Sequence, residues 1–556
     1  MMDVSMSIQE IRRSVLEDIR AREIYIPETG FLAGPTYPVR EMVETGIWRQ
    51  QDYGWDNLHF PLNYKLLMQE GVPGIIRRAS VPRDGLSEER QEYRALIAES
   101  WNEIGQYILR HAKKAEALAA ERPEDAARLR RIAQNCRTLS CRAPETFEQG
   151  VQLFWFIWRL RGNYTSCIGR MDVHLRELYE KDVPGRISRE KALDILCELW
   201  ERLNETYSGD TLMNIMLGGV DENGEDVSCD LSILIMEATM RVAKSEPHIN
   251  VRIHPGSKPE FLDAAIRLIA MGQGQGVAYF DDNIIPALVK RGIPLELGRI
   301  YANDGCTELT FDSHSAIWFW QMESVKSLEL ALFRGKENPS TPFRPYNKWS
   351  IFGSTEVYHT RLTLGHDSGN FAEMTTFEQV YEAFLDQYGY QIDCYMEKMA
   401  RQIRDNEETD KYHTSPIAAG MNELALDTGA DPIREGWEVK NYQMLSGSIP
   451  TLADCLHAIR EGVFEKKLCT MAELIHALSV DFEGYEALRL ELKKLPKFGN
   501  DEDSVDLLAA ELAEFFCRRV EEYPTPCGIR PLPGIYNIDF NMFSGSVGAM
   551  PDGSRG

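Results

Sequence analysis

Gly305-Cys306-Thr307-Glu308 is the segment of this 556-residue chain whose residue types could do chemistry at close range. If the segment is extended, side chains two apart point the same way, so the Cys306 thiol and the Glu308 carboxylate share one face. On a helix they would diverge by about 200°. A joint role therefore requires a strand or a loop. A carboxylate beside a thiol opposes the thiolate, which makes the pair a poor nucleophile. It suits homolytic chemistry instead: a sulfur radical removes a neutral hydrogen atom from carbon, while the carboxylate takes or gives the proton that moves with the leaving group. The same four residues also fit a structural cysteine, since free cysteines are commonly small buried hydrophobes.

The elements that must position this segment follow from pattern. Residues 248–254 alternate Ile249, Val251 and Ile253 as a strand does, and Pro255-Gly256 ends the run. Residues 259–271 read as a helix, GQGQG at 272–276 as a turn, and VAYF at 277–280 as a second strand. Strand, crossover helix and strand make a parallel unit, so the fold class is α/β with a barrel or large parallel sheet in the middle. A helix over Ile284 to Arg291 then leads toward Cys306. Around this core the chain reads as helical: from Glu92 to about Ser140 with a break at Pro123, from a Thr146-Phe-Glu-Gln149 capping box, from Ser188, over Phe377 to Arg404, and over Leu452 to Ala477. No repeat or Pro/Gly/Ser linker offers a place to cut, so residues 1–556 are taken as one domain.

Composition excludes several classes. Hydrophobic residues at 43% and charged residues at 26% are those of a globular chain. The net charge of −25 disfavours nucleic acid and anionic lipid as partners. No apolar run spans a membrane and the start is charged, so a cytoplasmic location is expected. Eleven cysteines without C-x-x-C pairs argue against a disulfide framework or a zinc cage, and the eleven histidines show no metal spacing. GQGQG follows a helix and precedes a strand, the wrong order for a dinucleotide fingerprint. Trp155-Phe-Ile-Trp158 and Trp318-Phe-Trp320 read as core.

An ordered series of segments carries a resemblance to a known family: ETFEQGVQLFWF at 145–156, IGRMD at 168–172, LGGVDENGED at 217–226, AYFDDNIIPALVKRGIPLELGRIYANDGCTEL, SIPTLADCLHAIREGVF at 448–464, KFGNDEDSVD at 497–506 and VGAMPDG at 547–553. From Trp55 to Gly556 the sequence resembles the glycyl radical enzymes, the pyruvate formate-lyase-like superfamily. The resemblance implies a barrel of two parallel half-sheets surrounded by helices, with Cys306 on a loop inside. It further implies a glycyl radical installed by a separate S-adenosylmethionine-dependent activating enzyme, a homodimer, and anaerobic chemistry. Cys306 would relay the radical to a small-molecule substrate and Glu308 would move the proton. A single cysteine, with Gly305 and Thr307 as neighbours, disfavours formate C-acetyltransferase chemistry, which uses two adjacent cysteines. It resembles instead the dehydratases, lyases and decarboxylases, and an elimination from a small polar substrate is expected.

His59, Asn163, Ser166 and Cys167 fall in segments that resemble pocket-lining stretches of those enzymes and are expected to touch the substrate. Arg170 and Asp172 are expected to form a structural hydrogen-bonding set, and Asp312 and His314 to lie on a solvated loop. The family's radical-bearing R-V-x-G-Y-like segment is not found after VGAMPDG, so the C-terminal radical domain is expected from elsewhere and the chain is not expected to turn over alone. The alternatives are a non-catalytic partner or scaffold subunit, and a cysteine hydrolase using Cys306 with His314 as base.

Overall fold

The computed structural model describes residues 7–35, 58–59, 61–161, 167–205, 213–305, 307–342, 365–408, 415–432, 437–524, 531–536 and 547–556. The chain divides into two compact units, Met1–Ile317 with Thr409–Lys440, and Trp318–Glu408 with Asn441–Gly556. Each unit is assembled from stretches far apart in sequence, so no linker composition marks the division.

In the first unit, Ser87 caps the helix Glu88–Glu121 by accepting the Arg90 amide at 3.3 Å. Pro123 opens a short 3-10 turn before the helix Ala126–Cys141, where its missing N–H costs nothing. The helix Phe147–Leu160 is buried along almost its whole length, including Trp155 and Trp158. Thr146 accepts the Gln149 amide at 3.2 Å as expected, but the Gln149 side chain accepts from Glu145 rather than closing the capping box on Thr146. Ser188 starts the helix Arg189–Glu205 by accepting the Lys191 amide at 3.1 Å.

Strand β1 is Leu58–His59. A parallel sheet follows in the order β2 (Cys167–Gly169), β3 (Asn214–Gly218), β4 (His248–Ile253) and β5 (Val277–Phe280). Asn214 pairs with His248 and Asn250 with Val277, and the helix Pro259–Ala270 makes the crossover between β4 and β5. Strand β4 is buried on both faces: Ile249 and Val251 alternate with Asn250 and Arg252, all four at 0% exposure. A parallel sheet is covered on both sides, and here one side of β4 is polar. The helix after β5 is Asp281–Lys290 and starts earlier than its apolar pattern indicates. Asp281 and Asp282 suit the positive end of the helix dipole, and Asp281 is held by Arg252 through bonds of 2.9 Å to each carboxylate oxygen.

Entry to β3 is set by Glu246, whose carboxylate accepts the Met213 amide at 2.8 Å. Burial is the largest influence on this carboxyl and pushes its pKa from 4.5 up to about 7, against the opposing Met213 and His248 amides. The folded protein therefore holds this proton more tightly than the unfolded chain. The associated stability is fully present below about pH 4.5 and lost as pH rises through about 7, by about 3 kcal/mol. Urea unfolding of wild type and Glu246→Gln across that window is expected to give a stability difference that shifts against the wild type by this amount; a constant difference would refute it.

The second unit contains most of β8 (Ser315–Glu323) and β9 (Val439–Gly447), with β10 (Leu532–Ile535) parallel to β9. Trp318 stacks on Tyr442 with ring centroids 4.7 Å apart, which makes Trp318 a packing residue as expected. The helix Phe377–Glu408 matches its pattern. The expected helix over Leu452 to Ala477 is instead three pieces: Ile449–Ala458, a π-helical segment Ile459–Glu465, and Met471–Ser479. Lys467 at φ 55° breaks the path, and Thr470 caps a new start. The VGAMPDG segment is pinned by its backbone: Gly548 donates to Glu329 at 2.7 Å and Ala549 to Ser340 at 3.0 Å. Lys326, 2.6 Å from the other Glu329 oxygen, balances that buried charge.

Candidate active site

The GCTE segment lies in an antiparallel hairpin of β6 (Ala302–Asp304) and β7 (Glu308–Thr310), in which Asp304 pairs with Glu308 and Ala302 with Thr310. Glu308 is thus in a strand, one of the two conformations a joint role with Cys306 requires. Cys306 belongs to the three residues joining the strands and lies outside the described residues. The Glu308 carboxylate folds back on the turn and accepts the Thr307 amide at 3.1 Å. Gly305 permits this: its φ is +52°, and a Cβ there would sit 2.7 Å from a Glu308 oxygen.

Three asparagines fix where the hairpin begins. Asn214 on β3 receives the side-chain amides of Asn250 on β4 at 3.0 Å and Asn303 on β6 at 3.1 Å. Its own amide donates to the Gly305 carbonyl at 2.6 Å. All three are at 0% exposure, so the carbonyl preceding Cys306 is tied to the centre of the parallel sheet. Asn214→Leu, of similar volume, is expected to cost about 2–4 kcal/mol in chemical unfolding, because it removes three hydrogen bonds and strands buried amide donors. A loss under about 1 kcal/mol would show that the network does not hold the hairpin. Sequence reasoning passed over these asparagines; the available signal was Asn inside the otherwise apolar strands NIMLG and HINVRI.

Apolar contacts complete the support. Cys167, Met216, Tyr279, Leu297, Tyr301, Ala302 and Phe311 form one buried cluster under the hairpin. Cys167, expected among the substrate contacts, is at 0% exposure, and its thiol lies 3.6 Å from the Thr310 hydroxyl on β7. Burial, followed by the charges of Asp304 and Asp312, raises its pKa well above the ordinary thiol value. Asp312 is not on a solvated loop: it is largely buried, and His174 Nε2 lies 2.7 Å from its carboxylate. Gly169 of IGRMD makes room for this pair, since its φ is +80° and a Cβ would meet Asp312 at 2.8 Å. His314 is directed to Glu438, with Nδ1 3.2 Å from the carboxylate.

Arg170 and Asp172 form the expected hydrogen-bonding set. Arg170 donates to the carbonyls of Val220 and Gly218 at 2.9 and 2.8 Å, and Asp172 accepts from the Gly218 amide at 2.9 Å and the Ser232 hydroxyl at 2.7 Å. His59 falls in β1, where its side chain is outside the description, and Asn163 and Ser166 lie outside the described residues. No described helix is long and apolar enough to cross a membrane.

Solved structures share this architecture. The glycerol-bound B12-independent glycerol dehydratase from Clostridium butyricum is similar with a TM-score of 0.82 at 23% identity, over 99% of this chain and 78% of that one. A glycyl radical enzyme from Archaeoglobus fulgidus gives 0.81 at 21% identity, over 100% and 80%. The fold is therefore that of the glycyl radical enzyme α/β barrels. The pyruvate formate lyase-like family matches residues 21–545, and the chain belongs to it. Among curated relatives, trans-4-hydroxy-L-proline dehydratase of Clostridioides difficile is 29% identical, over 80% of this chain and 56% of its own length. The (2S)-3-sulfopropanediol dehydratase of Klebsiella oxytoca is 26% identical, over 89% and 61%. The chain thus spans about three fifths of the length of these relatives.

Proposed function

We propose that the full-length protein is a glycyl radical lyase that eliminates water, or another leaving group, from a small hydroxylated substrate. The observation that carries this reading is Glu308 on β7, directly after the turn that bears Cys306, in a chain whose relatives include dehydratases. The hairpin is anchored in a dry base, with Ala302, Asn303, Asp304 and Thr310 at 0% exposure, while Glu308 is half-buried and Thr307 exposed, so the carboxylate is within reach of an incoming substrate. A backbone glycyl radical, generated by an S-adenosylmethionine-dependent activating enzyme, would supply the initial hydrogen-atom acceptor.

Cys306 gives up its S–H hydrogen atom, and its sulfur then takes one from a substrate C–H. Glu308 protonates the group leaving the neighbouring carbon, so that it departs as water when it is a hydroxyl, and the hydroxyl on the radical carbon gives its own proton back to Glu308 as it becomes a carbonyl. The re-formed Cys306 thiol returns a hydrogen atom to the product radical, and the electron count closes. His59, Asn163 and Ser166 are the proposed substrate contacts, and Cys167 belongs to the wall behind β7. A homodimer in the cytoplasm is part of the same proposal. The test is anaerobic activation of the full-length protein, followed by electron paramagnetic resonance and product analysis on diols and hydroxy acids. A radical signal with dioxygen-sensitive elimination supports the reading. A signal without consumption of any of them, or consumption indifferent to dioxygen, overturns it.

A further inference from the structure

Behind the cysteine hairpin, two buried polar groups have no hydrogen-bond partner among the described residues. Arg161, immediately after the helix Phe147–Leu160, is 5% exposed, yet neither its Nε nor its Nη1 donates to a described group. The hydroxyl of Tyr64, 1% exposed, is likewise unpartnered. A ladder of rings holds both: the Arg161 guanidinium lies 3.4 Å from the Trp158 ring centroid, Trp158 stacks on Phe154 at 5.7 Å, and Phe154 meets Tyr64 at 4.8 Å. The stack fixes the guanidinium without using its N–H groups, and an unpaired buried cation costs several kcal/mol.

We propose that Arg161 and Tyr64 form an anion subsite beside the cysteine hairpin, which receives the carboxylate or sulfonate of an acidic substrate. A guanidinium fork with an O–H donor matches the lone pairs of such a group. Tyr64 also meets the His174 ring with centroids 6.1 Å apart, and His174 is bonded to Asp312, two residues beyond β7, which sets the tyrosine end of the ladder against the hairpin. Burial pulls the Arg161 pKa down to about 10, so it remains a cation at neutral pH. Asp304 offsets part of that charge. Asp312, the other nearby acid, gives one oxygen to His174, and its second oxygen, also without a partner among the described residues, accepts no bond from Arg161. The word substrate rests on the radical-lyase reading; the anion site itself does not.

The test is isothermal titration calorimetry of the unactivated 556-residue chain with isethionate and with trans-4-hydroxy-L-proline, against 1,2-propanediol. At least one anionic probe is expected to bind, weakened about tenfold or more in Arg161→Gln and about threefold or more in Tyr64→Phe, with circular dichroism confirming the fold. Tyr64→Phe keeps the ring ladder and so tests the site even if Arg161→Gln does not fold. Absence of binding by either anionic probe at about 10 mM, or affinities within about twofold of wild type in the folded variants, overturns the proposal. Anion binding through Arg161 in a protein that forms no radical would sink the lyase reading and keep the subsite. A radical enzyme that consumes only neutral diols would do the reverse.

Discussion

Cys306→Ala in the activated full-length protein is expected to abolish turnover, a fall of at least about 10⁴-fold, while leaving the glycyl radical signal in place. The side chain is asked both to take a hydrogen atom from carbon and to return one, and the Cys167 thiol is not free to stand in for it. Cys167 is directed to Thr310 within the core. Glu308→Gln separates the two halves of the mechanism. It removes proton transfer but no hydrogen-atom carrier, so a loss of about 10²–10⁴-fold is expected, the usual contribution of a positioned acid or base. Deuterium lost from labelled substrate by Glu308→Gln, but not by Cys306→Ala, would assign abstraction to the sulfur. Residual elimination by Cys306→Ala at more than a few per cent of the wild-type rate would end the radical-relay role.

The second large effect is on stability. Asp281→Ala is expected to cost about 3–5 kcal/mol, because it leaves the Arg252 guanidinium buried without its counter-charge. Arg252 is at 0% exposure and reaches both Asp281 oxygens at 2.9 Å, the Tyr301 carbonyl at 2.9 Å and the Arg299 carbonyl at 2.7 Å. The Tyr301 hydroxyl donates to the same carboxylate at 2.7 Å, and its ring faces the guanidinium 3.8 Å away. These bonds end one residue before β6, so the loss also loosens the approach to the hairpin. An Arg252→Met, Asp281→Leu double variant is expected to lie well above Asp281→Ala in chemical unfolding, since removing both charges removes the desolvation cost. Equal losses would mean that packing, not the unpaired charge, sets the effect.

What was legible in the sequence was local or serial. The period-2 run at 248–253, the crossover helix and VAYF specify a parallel unit because alternation and turn chemistry act over a few residues. The misreadings have physical causes. Leu452 to Ala477 keeps a helical apolar pattern through a π segment and a positive-φ lysine, because periodicity records burial and not backbone hydrogen bonding. Asp312 looks like a loop acid until His174, 138 residues away in sequence, is brought to it.

The sequence by itself determined the family and the α/β class, and singled out Cys306 and Glu308 as the candidate pair on the condition of an extended segment, since ordered motifs and side-chain alternation are properties of the linear chain. Only the tertiary structure decided what holds that segment. Asn214, Asn250 and Asn303 come from three strands, Arg252 and Asp281 from a strand and the helix beyond its neighbour, and Tyr64 and Arg161 from separate helical regions. A hydrogen bond or a buried charge depends on a partner a few ångströms away. That distance is set by how the sheet and its helices pack, which spacing along the chain does not encode.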